Sequence, residues 1–343
     1  MTHKKRICIL TDGHLDPFDA KTAVGLLRYR PDEVVAVLDP NHAGENLEDL
    51  VGCGAGVPIV ESIESASRYQ PDHLLIGVAP PGGRLPADWR RFIRQGLAAG
   101  MNVINGLHDR LGDDPEFAEA AAQRGLTILD VRAVPRPASV GTAKAARTRA
   151  RRVLTVGTDC NIGKRLTAME LTRALSDRGL RAEFVATGQT GVMITGSGVV
   201  VDAVISDFVS GAIEAAILEK GDADCIVVEG QGALLHPSYS AVALGLLHGT
   251  LPDRMILCHA PQRKTLRNID IPIPPLNEVI QLYEAIVRPL HPAKVVGVAL
   301  NGHGMSDAAI SASIEQVRDL TGLPVVDCIR TGVGELADAV CAA

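Results

Sequence analysis

The sequence is poor in aromatic residues: its 343 positions hold one Trp (Trp89), four Tyr and five Phe. With 46% of the residues hydrophobic, a large core must be aliphatic, as in parallel sheets covered by helices, and a disordered or fibrous chain is excluded. The sequence lacks any apolar run near the roughly 18 residues that a membrane helix needs, because Gly and charged residues interrupt every stretch. The start, Met1 to Arg6, leads into an apolar run too short for a signal peptide, so a cytoplasmic protein is expected. The seven Cys (8, 53, 160, 225, 258, 328 and 341) are odd in number and include no Cys-x-x-Cys pair. Neither a disulfide framework nor a zinc site is signalled, and no metal centre is expected. Excess positive charge is lacking too. Lys plus Arg give 34 against 40 for Asp plus Glu, a net charge of −6, which argues against a general nucleic-acid binder. Small-molecule substrates are expected as partners, with neither nucleic acid nor membrane.

Short β-branched runs alternate with helical patterns along the whole chain, the signature of βαβ units. In the first part strands are expected over 7–10, 34–38, 74–78, 102–104 and 127–129, with helices over 19–29, 62–69, 88–99 and 115–124. The segment 132–152 carries Arg132, Arg136, Lys144, Arg147, Arg149, Arg151 and Arg152, no acidic residue, and Pro135 and Pro137. It reads as a domain linker, either a solvated connector or one that raises the positive potential beside the phosphate site that begins the second part. The second part is expected to have strands over 153–156, 183–186, 225–228, 255–258, 295–300 and 324–327, with helices over 165–178, 202–220, 277–288 and 307–321. The fold class is therefore α/β: a Rossmann-like parallel-sheet domain over 1–135, a basic linker over 136–152 and a P-loop NTPase-like parallel-sheet domain over 153–343.

The strongest chemical signal begins after the strand 153–156 with Gly157, Thr158, Asp159, Cys160, Asn161, Ile162, Gly163 and Lys164, and a helix comes next. In such a loop successive backbone N–H groups turn toward an anionic phosphate, the helix N-terminus adds its dipole, and Lys164 adds a charge. The wording Gly-Thr-Asp-x-x-x-Gly-Lys resembles the P-loop variant of dethiobiotin synthetase and its relatives. One departure matters: Arg165 stands where P-loop nucleotidases place the Ser or Thr that ligates Mg²⁺. The loop is suited to hold a pyrophosphate, with Arg165 itself neutralising phosphate charge. Further along, Glu229 falls at the C-terminal end of a buried strand, where ligands bind in open parallel sheets. It is placed as a metal ligand, a general base or a group that recognises an amine. Thr187 to Gly191, with Gln189 and Thr190, follow the second strand and are expected to line the same edge. Asp202 and Asp207 lie on the next helical pattern, and Asn301 directly follows the strand 295–300, where the dethiobiotin synthetase relatives place a base-contacting Asn. The run Gly52 to Val57 and the run Asp12 to Asp16 are weaker signals. The first lacks the last Gly and the preceding strand of a dinucleotide fingerprint; the second follows a first strand.

With these residues in view the whole chain resembles the two-domain family of D-glutamate N-acetyltransferases, formerly known as a domain of unknown function. The matching stretches are 20–29, 75–83, Asn105-Gly-Leu-His-Asp, 157–164, 186–191, 202–208, 229–234 and His236-Pro-Ser-Tyr-Ser, spanning residues 7 to 335. The resemblance implies a Rossmann-like domain, a P-loop domain and acetyl-CoA as acyl donor. CoA carries a pyrophosphate that must be bound but not cleaved, which a P-loop without its Mg²⁺ hydroxyl suits. Loop 157–164 would hold phosphates and Asn301 the adenine. Acetyl transfer needs a base and donors for the thioester oxyanion; Glu229 and His236 are the candidate bases, with Asp207 as a further catalytic candidate. His108, Gln189 and Thr190 are substrate candidates, and Arg263 and Arg267, with Lys264, suit the carboxylates of an acidic amino acid. A homo-oligomer is expected for such an enzyme. The same residues also allow an ATP- and Mg²⁺-dependent ligase or kinase of the dethiobiotin synthetase type, with Glu229 and Asp207 binding the metal, or a regulator that binds CoA or ATP without turnover.

Overall fold

The β-branched runs form parallel strands in the computed structural model, which describes residues 4–17, 19–78, 80, 83–133 and 139–342. Met1 to His3, Pro135, Arg136 and Pro137 of the expected linker, and Ala79, Pro81 and Gly82 of the stretch 75–83 lie outside those residues. The chain divides into two units, Met1–Val134 with Gln189–Gly196, and Pro135–Gly188 with Ser197–Ala343.

The first unit runs β1 (Ile7–Leu10), α1 (Lys21–Tyr29), β2 (Val34–Leu38), α2 (Leu47–Val51), β3 (Ile59–Val60), α3 (Ile63–Ser67), β4 (His73–Ile76), α4 (Arg90–Ala98), β5 (Asn102–Asn105), α5 (Pro115–Ala122) and β6 (Ile128–Asp130). Its six strands lie in the order β3-β2-β1-β4-β5-β6 and pair in parallel, a Rossmann-like arrangement. β1 is buried along its whole length, as a central strand covered on both faces must be.

The second unit continues with β7 (Arg151–Gly157), α6 (Lys164–Asp177) and β8 (Ala182–Val185); α7 (Gln189–Thr195) comes next in the chain but belongs to the first unit. The second unit then runs through α8 (Val209–Leu218), β9 (Cys225–Val228), α9 (Ser240–Thr250), β10 (Arg254–His259), α10 (Leu276–Val287), β11 (Lys294–Leu300), α11 (Asp307–Thr321), β12 (Val325–Asp327) and α12 (Gly334–Cys341). This sheet is also six-stranded, in the order β12-β11-β10-β7-β9-β8, and parallel. The core on one side packs α6 and α12 on the sheet through residues such as Val153, Leu171, Val227, Ile256 and Leu336. It is aliphatic, as the shortage of aromatics requires.

Two expectations need correction, and one helix was not expected. The basic segment does not stay a solvated connector to residue 152: Arg151 and Arg152 open β7. Arg152 is 2% exposed, with its guanidinium on Asp253 Oδ1 at 3.0 Å and Leu251 O at 2.9 Å. A buried Arg is tolerated because those distant partners satisfy it. The helix expected over 202–220 breaks into single 3₁₀ turns at Val201–Ala203 and Ser206–Phe208, and only Val209–Leu218 is α-helical. The break lies at Val204 and Ile205, whose ψ of 137° and 134° is far from the helical range and ends the first turn before the next begins. Helix α9 is hard to read from the sequence because Gly245 and Gly249 interrupt it. Both are required by close packing on α8: an added Cβ would lie 2.6 Å from Val209 Cγ1 and 2.6 Å from Ser210 O, respectively.

Candidate active site

Register brings the functional residues of the second unit to one edge. Leu154 pairs with Val228, Gly157 with Cys258 and His259 with Leu300, so loop 157–164, Glu229, residues 260–267 and Asn301 all lie just beyond strand C-termini. The phosphate loop leaves central β7 where the strand order reverses, the place at which open α/β sheets bind ligands. Two of its residues adopt positive φ, Asn161 at 54° and Gly163 at 99°. Gly157 is required by close approach, since a Cβ there would meet Ile162 Cδ1 at 2.8 Å and Lys164 Nζ at 3.2 Å. Lys164 curls over the loop and donates to Asp159 O at 2.7 Å, and burial lowers its ammonium below the ordinary Lys value. The Asn161 Nδ2 group is buried and has no hydrogen-bond partner among the described residues. A buried donor without an acceptor costs free energy, and an oxygen-rich anion in the loop would satisfy it.

Asp159 is the hub of the loop. It is fully buried, accepts from Cys160 N at 2.6 Å, from Arg263 Nη1 at 2.8 Å and from Arg267 N at 2.8 Å. Arg263 also donates to Cys160 O at 2.7 Å, so its guanidinium is engaged within the loop's own framework. His236 lies behind this clasp, with Nε2 3.8 Å from Asp159 Oδ1. Its Nδ1 accepts from Ser238 N at 3.2 Å and its Nε2 faces Arg267 O at 3.1 Å. A carbonyl can only accept, so the ring proton sits on Nε2 and both nitrogens are engaged. The ligand-capable atoms of Asp159, Cys160 and His236 lie within 4.8 Å of one another, but the Asp and His atoms already serve these hydrogen bonds.

Glu229 is 3% exposed. Its Oε2 accepts from Thr187 N at 3.0 Å and Gly188 N at 3.3 Å, and its Oε1 from Gln231 Nε2 at 3.0 Å. Burial raises its carboxyl above the ordinary Glu value, against the opposing field of the Arg165 guanidinium and the bonds from Thr187 and Gly188. The field of Arg165 thus reaches the acid that stands where P-loop nucleotidases carry a metal-binding carboxylate. Gly230 fixes this corner: its N–H donates to Thr155 Oγ1 at 2.9 Å, and a Cβ would lie 1.7 Å from Thr155 O.

The remaining candidates fall elsewhere. Asp207 sits on an exposed 3₁₀ turn. Asn301 takes His303 N–H on its Oδ1 at 3.1 Å, closing a turn, and its own N–H goes to His259 O at 2.8 Å. Gln189 and Thr190 begin α7 of the first unit, where Thr190 Oγ1 lies 2.8 Å from Thr22 Oγ1. His108, also in the first unit, is exposed and donates its backbone N–H to Gly83 O at 2.7 Å. Sequence reasoning missed Tyr283, Gln231 and His259. Tyr283, buried on α10, donates from its hydroxyl to Gly157 O at 2.8 Å and accepts from Leu234 N at 3.2 Å. Its spacing with Val279 and Val287 reads as core, and nothing in the sequence marks the hydroxyl. His259 Nδ1 lies 3.0 Å from Thr158 Oγ1, and its imidazole is pushed down to about 4 by burial and by Lys264 and Arg263.

Comparisons with known proteins agree with this architecture. Residues 40–134 match the family described as the DUF1611 N-terminal Rossmann-like domain, and residues 139–337 match the DUF1611 C-terminal P-loop domain. A crystal structure of a DUF1611 family protein from Anabaena variabilis superposes with a TM-score of 0.95 at 42% identity, covering 98% of this chain and 99% of that one. Two curated relatives carry the name D-glutamate N-acetyltransferase. The one from Tritonibacter scottomollicae is 38% identical, over 95% of this chain and 96% of its own length. The one from a Pseudoalteromonas species is 33% identical over the same shares. The chain belongs to the DUF1611 family and, with these relatives, to the N-acetyltransferases, enzymes of the acyltransferase class.

Proposed function

We propose that the protein transfers the acetyl group of acetyl-CoA to the amine of D-glutamate. The acceptor is supported by the two relatives named for N-acetylation of D-glutamate. The observation that carries the reading for this chain is the phosphate loop, with the field of Arg165 acting on Glu229 and the buried Asn161 Nδ2 without a hydrogen-bond partner among the described residues. Such a loop offers N–H donors and fixed cations to a diphosphate while leaving no hydroxyl at the Mg²⁺ position. It binds phosphates as a handle instead of cleaving them. Loop 157–164, Lys164 and Arg165 would hold the CoA diphosphate.

Glu229 would accept the proton that the substrate ammonium must lose before its nitrogen can attack. Its raised proton affinity makes it a stronger base than an ordinary Glu. The nitrogen then bonds to the thioester carbonyl carbon, the carbon–sulfur bond breaks, and the second nitrogen proton leaves with the thiol as free CoA. His236, with both ring nitrogens engaged, and Arg263, held on Asp159, serve as supports of the loop in this scheme. The test is thiol release from acetyl-CoA with D-glutamate, with ATP and Mg²⁺ in a separate reaction. Thiol without ADP supports the transferase; ADP without thiol supports the ligase or kinase.

A further inference from the structure

The cations at this edge of the sheet form two groups. Lys164 and Arg165 belong to the phosphate loop and the first turn of α6. Lys264 and Arg267 belong to the turn after β10, and the acetyl-transfer scheme makes no use of their side chains. That turn is built to hold its shape. Thr265 bridges Pro272, Leu266 N–H donates to Ile271 O and Ile273 N–H to Lys264 O, both at 2.9 Å, and Leu266 is buried beneath it.

The turn is also fastened to the phosphate loop. The Arg267 N–H reaches Asp159 Oδ2 at 2.8 Å and its carbonyl receives His236 Nε2 at 3.1 Å, while Arg263 bridges Asp159 and Cys160. The Arg267 backbone is therefore pinned beside the loop. Arg267 is half-buried, its guanidinium makes no hydrogen bond or ion pair among the described residues, and its field reaches Cys160 within the loop. The Lys264 ammonium belongs to an exposed residue and among the described residues hydrogen-bonds only to Pro261 O, at 3.5 Å. The nearby carboxylate of Asp159 is already taken by Arg263. Two cations without an anionic partner among the described residues, on a rigid turn next to a cationic loop, create a strong positive potential that a second anion would relieve. Arg suits a phosphate because its planar fork makes paired hydrogen bonds.

We infer that the turn 264–267 is a second phosphate subsite, which takes a phosphate monoester on the ribose of the ligand whose diphosphate lies in loop 157–164. The ligand class is a 3′-phosphoadenosine 5′-diphosphate, the nucleotide portion of CoA, whose two phosphate groups leave the sugar from different carbons. A nucleoside triphosphate carries its phosphates in one chain and leaves the turn unpaired. The subsite rests on the acetyl-CoA reading and accounts for how the site selects that donor over ATP.

Calorimetric titration of the full chain with CoA and with 3′-dephospho-CoA tests it, using the wild type, Arg267→Ala and Lys264→Ala. The subsite predicts that the wild type binds CoA about tenfold or more tightly than dephospho-CoA. Arg267→Ala should weaken CoA toward the dephospho-CoA affinity while dephospho-CoA binding stays in place. If Arg267→Ala loses its native circular dichroism, Arg267→Gln and Lys264→Ala carry the comparison, and each should shrink the ratio. Equal binding of the two ligands by the wild type overturns the subsite and leaves the acetyl-CoA reading standing. A ratio unchanged in every folded variant overturns it as well. Binding of neither ligand removes the acetyl-CoA reading and the subsite with it.

Discussion

The hydroxyl of Tyr283 joins Gly157 to Leu234: it donates to the Gly157 carbonyl at 2.8 Å and accepts the Leu234 N–H at 3.2 Å. One buried phenol thus ties the first residue of the phosphate loop to the turn after Glu229, and burial holds its proton up to about 12. Tyr283→Phe keeps the ring and leaves both backbone groups without this partner. A stability loss of about 1–3 kcal/mol is expected, read as a lower midpoint in chemical denaturation, together with a higher KM for acetyl-CoA.

Lys164 is the loop's own cation and is held in place by the Asp159 carbonyl. Because burial disfavours its charge, Lys164→Ala should cost little or no stability. It should weaken CoA about tenfold or more, since a charge-assisted contact to phosphate is lost. Calorimetry beside thermal melting separates the two effects; an unchanged affinity would take the loop out of the mechanism.

Arg165 occupies the position of a metal-ligating hydroxyl and acts on Glu229. Chelation of divalent cations with EDTA should therefore leave both CoA affinity and acetyl transfer unchanged. Arg165→Ala should raise the KM for acetyl-CoA, and added Mg²⁺ should not restore it, because alanine supplies no ligand. Restoration by Mg²⁺ would show that the loop works as a metal site.

Much of this site is legible in the sequence because its parts are contiguous. Gly157 to Lys164 forms one unbroken run between a strand and a helix, and Glu229 comes directly after a four-residue apolar strand. Helix α11 is equally plain, with Ser306 capping its start and Gly322, at φ 68°, closing its end. What stays hidden depends on partners far along the chain. Arg263 reads as a substrate cation until Asp159, 104 residues away, is seen to hold it. Arg152 reads as solvated until Asp253 is placed beside it. Thr190 reads as part of a ligand loop, yet it starts a helix that packs in the first unit against Thr22. Periodicity carries no trace of such pairings, and two-residue β3 is too short to show any period.

Glu229 gives a pH test. A carboxyl raised by burial keeps its proton to a higher pH than an ordinary Glu. As a general base it works only when deprotonated, so kcat/KM should rise with pH through a value above the ordinary carboxylate range. Glu229→Gln should remove that limb and lower kcat about a hundredfold or more, within the usual range for a lost general base. A limb that persists in the variant assigns the proton transfer to another group.

The central claim is that the phosphate loop serves an acyl donor. Free thiol released from acetyl-CoA, followed in parallel with D-glutamate, L-glutamate and D-aspartate, tests it most directly. Thiol release that depends on D-glutamate and proceeds without ATP is the predicted result. No thiol with any of the three acceptors, together with ADP formed when ATP and Mg²⁺ are supplied, would contradict it.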